Sequence, residues 1–242
     1  LGFEGDLQSW DLAYYKENLK EYLEQSKFSV ASNGVLYRTD TVGCIPGILD
    51  LWFQKRVEYK DEMKKYGKAG NKEKYAFFHK RQLVQKILLN SLYGVLGLPA
   101  FRFYDVDNAT AVTTTGQTVI KSTADMANIK YNKELGNPDL DSNIYIDTDS
   151  VFFSAVPLMD KRLPNWREQD QDTIAGYVNE IAEEMQDYLN DFYDIMSKKI
   201  FNVDKDKHRL EIKKEYVAKA GLWIAKKRYA QWIISDNGVP CD

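Results

Sequence analysis

The chain has 242 residues, of which 44% are apolar and 29% charged, and its formal net charge is −3. This composition excludes a disordered chain, a collagen repeat and a disulfide scaffold, and no run of about 18 apolar residues predicts a membrane span. Cys44 and Cys241 match no metal-binding spacing and are interpreted as reduced thiols.

The charges are unevenly distributed along the chain. Residues 51–90 contain eleven Lys and Arg against four Asp and Glu, a net charge of +7. Residues 165–206 carry −7, and residues 205–232 carry +6. Two basic segments in a weakly acidic chain suggest that a polyanion is bound locally, although solvated helix faces explain the same pattern.

The N-terminal segment predicts a helix followed by a strand hairpin. Residues 9–24 have apolar side chains at helical spacing. Residues 28–38 contain Asn33-Gly34 between apolar runs, which is the strongest short signal for a β-hairpin. Pro46-Gly47 then predicts a break.

Two long basic helices are predicted next, over residues 48–66 and residues 72–96. Residues 67–71 supply a turn with glycine at both Gly67 and Gly70. Because the connection is so short, the two helices are expected to form an antiparallel hairpin.

The second half of the chain alternates helices with strand hairpins. A helix capped by Asp107-Asn108 is predicted over residues 109–135, and one with an acidic outer face over residues 173–199. Strand hairpins are predicted over residues 144–154 and residues 209–234, the latter turning near Ala220-Gly221. This order predicts an α+β fold, with an antiparallel sheet, helices on one face and the basic helical hairpin projecting from it.

The first group of chemically suggestive residues lies on the second basic helix. Lys86, Asn90 and Tyr93 are spaced i, i+4 and i+7, so they share one helix face, and Gly94 lets a flat group approach the backbone. A phosphate near Lys86 and a base or sugar near Tyr93 would fit this face. An amphipathic helix with incidental polar residues is an equally good interpretation.

The second group lies on the first basic helix. Arg56 and Lys60 are spaced i, i+4, and an antiparallel partner would bring them beside Lys86. Three cations along one groove would bind a polyphosphate. The alternative is a surface of salt bridges with neighbouring acidic residues of the same helix.

The third group is the acidic tip of the predicted hairpin at residues 145–150. Asp147 and Asp149 repel each other unless a cation binds, and oxygen ligands favour Mg²⁺ or Mn²⁺. The alternative is a turn in which the Asp side chains cap backbone amides. Together, a polyphosphate groove and a hard-metal hairpin suggest a nucleoside triphosphate handled with metal.

These residues resemble elements of the B-family DNA polymerases. Residues 86–94 are similar to the family's Lys-x-x-x-Asn-Ser-x-Tyr-Gly, and residues 145–150 to its Tyr-Gly-Asp-Thr-Asp-Ser, with Ile146 in place of Gly. Residues 226–229 are similar to its Lys-Lys-Arg-Tyr strand. The elements follow the family's order, and the resemblance to the phage branch extends over roughly residues 28–235.

The resemblance implies a domain organisation. Residues 1–46 would be an N-terminal part of the palm, and residues 47–96 the fingers. Residues 97–242 would be the rest of the palm, with the acidic hairpin and the Lys-Lys-Arg-Tyr strand. The implied activity is template-directed transfer of a nucleotide from a dNTP to a primer 3′-hydroxyl in DNA replication.

The resemblance also assigns residue roles. Arg56, Lys60 and Lys86 would hold the triphosphate, with Asn90 in support, while Tyr93 and Gly94 would pack against the nascent base pair. Lys86 would take part in catalysis.

Asp149, with Asp147 beside it, would be the catalytic metal ligand of a two-metal Mg²⁺ site that Mn²⁺ could also fill. Lys226, Lys227, Arg228 and Tyr229 would contact DNA. Lys227 and Tyr229 would share a strand face against the minor groove.

The chain departs from the family in one respect that affects activity. The family's Asp-x-x-Ser-Leu-Tyr-Pro element is not found, so the chain is expected to be a central fragment that is inactive alone. Its expected partners are primer-template DNA, dNTP and the remaining segments: the upstream palm strand, the exonuclease and the thumb. The expected location is the cytoplasm of a phage-infected cell, without a membrane partner.

Two other functions remain open at this stage. A nucleotide-sugar glycosyltransferase would also use an Asp-x-Asp element with Mn²⁺, but it would favour a Gly-rich βαβ unit, and none is predicted. A non-catalytic nucleic-acid-binding module would use the basic segments and would not need a metal at Asp149.

Overall fold

The computed structural model describes residues 18, 19, 21–23 and 25–236, with the backbone of 239–240. Most of the predicted helix over residues 9–24 lies outside these residues. The chain divides into two compact units, Leu1–Thr114 and Thr115–Asp242. Helices and antiparallel strands occur in both, which confirms the α+β class. None of the helices in the described part is long and apolar enough to cross a membrane.

The first unit contains the predicted strand hairpin. Strands β1 (Phe28–Val30) and β2 (Leu36–Arg38) pair antiparallel. Gly34 has φ +86°, a left-handed conformation that glycine adopts without steric cost, so the Asn-Gly signal was informative. The Asn33 side chain donates to the Asp107 carbonyl oxygen (3.0 Å), which joins the hairpin to a later helix of the same unit.

Helices α1 (Cys44–Lys68) and α2 (Lys72–Leu96) form the predicted helical hairpin. The predicted break at Pro46-Gly47 is wrong, because both residues lie in the first turns of α1, where a missing backbone N–H costs nothing. The Asn71 side chain caps α2 by accepting from the Lys74 N–H (3.0 Å).

The two helices pack along a continuous seam of partly buried side chains. Tyr66 of α1 stacks against Phe78 of α2 and Tyr59 packs against the same ring at a tilt, with ring centroids 5.6 and 6.2 Å apart. Because the spacing alternates between three and four residues on both helices, the seam is that of an antiparallel coiled coil. Its members are Trp52, Arg56, Tyr59, Met63 and Tyr66 on α1 and Phe78, Gln82, Gln85, Leu89 and Leu92 on α2.

Helix α3 (Val106–Leu135) begins earlier than predicted. The predicted cap at Asp107-Asn108 is wrong: the Asp105 carboxylate accepts from the Asn108 N–H (3.0 Å) and from the Asn108 side chain (2.7 Å). Asp105 therefore satisfies an amide in the first turn of the helix, which is what an N-cap does.

The second unit is built around three helices and two strand hairpins. Its buried core joins α3 to the two helices that follow the acidic hairpin, with Tyr131, Met159 and Met185 almost fully buried. The described strands form three separate antiparallel sheets, of which one lies in the first unit, instead of one continuous sheet. The elements after α3 are β3 (Asn143–Asp147), β4 (Ser150–Phe153), α4 (Val156–Arg162), a 3₁₀ turn (Trp166–Glu168), α5 (Gln171–Phe201), β5 (Tyr216–Ala225), β6 (Arg228–Asp236) and β7 (Val239–Pro240).

The last hairpin differs from its prediction. Gly221 lies inside β5, opposite Gln231 of β6, so the predicted turn at Ala220-Gly221 is wrong. A side chain at Gly221 would collide with the Trp223 ring. Glycine at this position therefore leaves room for the ring and does not mark a turn. The chain turns at Lys226-Lys227, and residues before Tyr216 are not strand.

Arg162 links three helices of the second unit. Its guanidinium donates two bonds to Glu134 of α3 (2.7 and 2.9 Å) and two to Glu184 of α5 (3.1 and 2.8 Å). The bonds to Glu134 hold the pKa of its carboxyl below the usual range, and the Arg162 side chain is only 30% exposed. A planar fork is required for this geometry, and a lysine does not supply it.

Arg162→Lys is therefore expected to lower the free energy of unfolding by about 1–2 kcal/mol at pH 7. Since the folded pKa of Glu134 is depressed, the stabilisation is present above the unfolded pKa of about 4.3 and is lost as the pH falls through the folded pKa. Urea denaturation from pH 7 down to pH 3 measures both effects. The matched control is Arg38→Lys, whose pair with Asp40 is 62% exposed on the arginine side and should contribute little. A deficit of equal size at pH 3 would show that the ion pairs are not the cause.

Candidate functional site

The seam of the α1–α2 hairpin determines which predicted residues lie together. Lys60 directly follows the seam residue Tyr59, and Lys86 directly follows Gln85. In an antiparallel two-helix seam these following positions lie on the same edge. Lys60 and Lys86 therefore share one edge, about 7–8 Å apart along the hairpin axis, given a rise of roughly 1.5 Å per residue.

Arg56 is placed differently from the two lysines. It is a seam residue, partly buried between the helices, whereas Lys60 and Lys86 are exposed. Asn90 and Tyr93 continue the exposed face of Lys86 toward the end of α2, as predicted, and Gly94 follows them. The structure thus brings two cations, an amide and an aromatic ring to one face, with a third cation in the seam beside it.

The predicted alternative, a surface of salt bridges, accounts for other lysines. Glu58 pairs with Lys55 (2.9 Å) and Glu62 pairs with Lys65 (3.2 Å). Across the ranges that the structure describes, neither Arg56 nor Lys86 forms an ion pair. Glu58 and Glu62 are thus paired with other lysines, and the positive charge of Arg56 and Lys86 is available to an anion.

The acidic hairpin forms at the predicted position in the second unit. β3 and β4 pair with Asp147 opposite Ser150, and the Asp149 N–H donates to the Asp147 carbonyl oxygen (2.6 Å). Thr148 takes φ +52° at the tip, while Ile146, which replaces the family's Gly, pairs regularly with Val151. Ile146 therefore does not disturb the turn.

The two carboxylates at the tip have different surroundings. Asp147 is 16% exposed on its side chain and accepts from Lys227 Nζ (2.8 Å) and Thr148 Oγ1 (3.0 Å), both on Oδ1. The hydrogen bond from Lys227 holds the pKa of the Asp147 carboxyl below its usual range. Asp149 is exposed, and its carboxylate has no partner among the described residues. Neither side chain caps a backbone amide, so the predicted Asx-type alternative does not describe this turn.

Lys227 lies in the β5–β6 turn, with φ +61°, so the prediction that Lys227 and Tyr229 share a strand face is wrong. Its N–H donates to the Tyr145 hydroxyl (2.8 Å), and its ammonium group binds Asp147. Tyr229 is the second residue of β6 and packs against Tyr145 and Phe152, with ring centroids 5.5 and 5.7 Å apart. The turn is thus attached to the acidic hairpin by both backbone and side-chain contacts.

Tyr145 has a structural role that the sequence analysis did not predict. Its hydroxyl receives the Lys227 amide and its ring supports Tyr229, so it joins the two hairpins. The only sequence signal for this role is that Tyr145 is the first residue of the element at residues 145–150. Lys226 lies in the turn, Arg228 directly follows it, and both are exposed.

The hairpin tip fits a hard cation in part. Asp149 and the Oδ2 atom of Asp147 are carboxylate oxygens, the ligands that Mg²⁺ and Mn²⁺ prefer. In the part of the chain that the structure describes, no three His, Cys, Asp or Glu side chains come together. The two carboxylates therefore supply only part of the ligands that a tightly bound metal needs.

Comparison with known proteins places these residues in a family. The family model described as DNA polymerase family B matches residues 11–164, which include the helical hairpin and the acidic hairpin. The β5–β6 turn lies beyond this match.

Several curated relatives are similar to the chain. The DNA-directed DNA polymerase of Enterobacteria phage T4 is 33% identical over 159 residues, and that of Escherichia phage RB69 is 32% identical over 158 residues. Each alignment covers 62% of this chain and 17% of the relative. The DNA polymerase of Thermococcus gorgonarius is 28% identical over 191 residues, 79% of this chain and 20% of the relative. The chain thus spans a fifth or less of the length of these relatives.

Proposed function

Because the chain belongs to DNA polymerase family B, we propose that it forms the fingers and part of the palm of a template-directed DNA polymerase. The fingers would be residues 47–96, and the palm residues 1–46 and 97–242. The observation that carries the proposal is the edge of the α1–α2 hairpin, where Lys60 and Lys86 lie together beside the face of Asn90 and Tyr93.

The hairpin edge is suited to a triphosphate. Arg56 offers a fork of donors, and Lys60 and Lys86 offer point charges, which together match the oxygens of a polyphosphate. Asn90 would support the phosphates, and Tyr93 with Gly94 would pack against the base pair being formed. The substrate would be a dNTP.

The proposed reaction is nucleotidyl transfer. The primer 3′-oxygen forms a bond to the α-phosphorus, the bond from that phosphorus to the bridging oxygen breaks, and pyrophosphate leaves while the hydroxyl proton passes to solvent. Asp149 and Asp147 would hold Mg²⁺, which when bound supplies Lewis acidity for the attacking and leaving oxygens. Lys227 keeps Asp147 ionised and in place.

The proposed partners follow from the same roles. Primer-template DNA would pass the β5–β6 turn, and an upstream palm strand, an exonuclease and a thumb would complete the enzyme. The two phage relatives support the cytoplasm of an infected cell as the place of action. A glycosyltransferase is less well supported, because every strand pair in the described ranges is antiparallel and a βαβ unit needs a parallel one.

A primer-extension assay tests the function. The 242-residue chain is assayed alone and joined to an upstream palm segment that carries an Asp-x-x-Ser-Leu-Tyr-Pro element. We expect the joined chain to add the nucleotide that the template specifies, in a manner dependent on Mg²⁺. DNA binding without any incorporation by either protein would instead support the non-catalytic module.

Lys227→Ala is expected to slow extension to a similar degree opposite all four template bases. The minor groove presents similar acceptors on every base pair, so a lysine there senses the shape of the pair and not its sequence. The change also removes the ion pair that holds Asp147. Single-nucleotide incorporation on four templates measures this, with Lys133→Ala, an exposed lysine of α3 outside both hairpins, as the matched control. A loss confined to one template base would contradict this role.

A further inference from the structure

The seam of the fingers hairpin contains an unusual pair of buried polar atoms. The Nε atom of Arg56 and the Oε1 atom of Gln85 are both buried, and neither has a hydrogen-bond partner within the described residues. One is a donor and the other an acceptor. Buried polar groups are nearly always paired, so two complementary unpaired atoms in one seam require an explanation.

The two atoms belong to the same level of the hairpin. Arg81 donates to the Tyr59 hydroxyl (3.4 Å), which aligns these residues across the seam. Arg56 lies about one helical turn before Tyr59, and Gln85 lies about one turn after Arg81. Because the helices are antiparallel, these two steps lead to the same layer. Gln85 also lines a cavity of about 240 Å³ together with Tyr59 and Arg81, which leaves its amide room to rotate.

We propose that Gln85 is a positioning residue for Arg56: its amide oxygen accepts the Arg56 Nε–H when a polyphosphate occupies the edge formed by Lys60 and Lys86. This inference rests on the proposed function and names a further residue of the same site. One bond at Nε fixes the plane of the guanidinium group and leaves both outer nitrogens for phosphate oxygens. Because the bond forms together with the phosphate contacts, it adds to the affinity for the ligand and fixes the orientation of the bound arginine.

If Gln85 served only to stabilise the seam, replacing it would lower the stability of the hairpin, whereas the proposed role predicts that stability rises. An apolar side chain at position 85 would remove a buried unpaired acceptor and extend the apolar contacts of the seam. If Gln85 serves Arg56, its replacement by a residue of similar volume stabilises the hairpin and weakens phosphate binding. The two effects have opposite signs, which separates the proposed role from a packing role.

The test uses the whole 242-residue chain with inorganic tripolyphosphate as the probe, measured by isothermal titration calorimetry. Gln85→Leu is expected to raise the Tm and to raise the Kd for tripolyphosphate about tenfold, the loss typical of one charge-assisted hydrogen bond. The matched control is Gln82→Leu, the same substitution one turn earlier in the same seam. It should raise the Tm and leave the Kd unchanged.

Two further measurements assign the effect to Arg56. In an Arg56→Lys background, which lacks the Nε–H donor, Gln85→Leu should cause no further loss. In the unsubstituted chain, the Arg56 Nε–H signal in a ¹⁵N-correlated NMR spectrum should become protected from solvent exchange when tripolyphosphate is added. That protection should disappear in Gln85→Leu.

The outcomes distinguish this inference from the proposed function. If Lys86→Ala weakens tripolyphosphate binding but Gln85→Leu does not, or if the loss persists in the Arg56→Lys background, the positioning role is wrong and the site stands. If the unsubstituted chain does not bind tripolyphosphate, or if Lys86→Ala has no effect, the proposed phosphate site fails and this inference fails with it.

Discussion

Asp149→Asn is expected to reduce nucleotide incorporation roughly a thousandfold or more while leaving the stability of the chain unchanged. The carboxylate is exposed and has no partner among the described residues, so the fold loses no contact when its charge is removed. A neutral amide is a poor ligand for a hard divalent cation, and a metal-dependent transfer would lose the charge that stabilises its transition state. Primer extension by the chain joined to an upstream palm segment measures the first effect, and thermal denaturation measures the second.

Asp139→Asn provides the matched control for this prediction. Asp139 is also an exposed aspartate of the second unit, in the loop before β3, and it lies outside the acidic hairpin. Its substitution should leave extension unchanged. Comparable extension by Asp149→Asn and by the unsubstituted protein would show that the metal site has been assigned to the wrong carboxylate.

The parts of the fold that the sequence predicted well are those with local signals. The Asn33-Gly34 turn needs a left-handed residue at Gly34, and only glycine and a few others adopt that conformation readily. The helices α1 and α2 follow from periodicity and a short connection. The antiparallel hairpin predicts that Lys60 and Lys86 lie on one edge. That Arg56 lies between the helices is seen only in the structure.

The errors have a common physical cause: the local pattern arises from side-chain contacts in the folded structure, which residue type and spacing alone do not reveal. Gly221 suggested a turn, but it gives space to the Trp223 ring inside a strand. Lys226-Lys227 looked like strand residues, yet the left-handed conformation of Lys227 is compensated by bonds to Tyr145 and Asp147, about 80 positions earlier in the chain. The sequence around Lys227 contains no pattern from which these bonds could be predicted.

The contact between Lys227 and Asp147 also changes how the acidic element is interpreted. The repulsion between two carboxylates is a reason to expect a metal, but Lys227 already offsets the charge of Asp147. The proposed metal would therefore depend chiefly on Asp149. Asp147 would contribute through Oδ2 and through the position that Lys227 gives it.

Lys86→Ala is expected to weaken triphosphate binding by about 1.5–3 kcal/mol, the value of a charge-assisted hydrogen bond, which is roughly a 10- to 150-fold rise in Kd. Lys86 is exposed, lies on the same hairpin edge as Lys60, and has no ion-pair partner in the described part of the chain, so its charge is available to a ligand. DNA binding should change little, because the β5–β6 turn and other basic segments also contact the duplex in the proposed arrangement. Calorimetric titration with a dNTP analogue and with primer-template DNA measures both affinities.

Lys80→Ala separates a specific contact from a general loss of positive charge. Lys80 lies on the same helix, is equally exposed and lines the cavity beside Arg81, away from the edge that carries Lys86. If the triphosphate is held by the edge of Lys60 and Lys86, Lys80→Ala should weaken triphosphate binding only slightly, through the loss of a long-range attraction. Because salt screens such an attraction, adding salt should remove most of the difference in Kd. The loss from Lys86→Ala should persist at the same salt concentration, since a direct contact to phosphate is less screened. If both substitutions reduced the triphosphate affinity equally and salt removed both differences, the hairpin would attract anions through its overall charge and would have no specific triphosphate site.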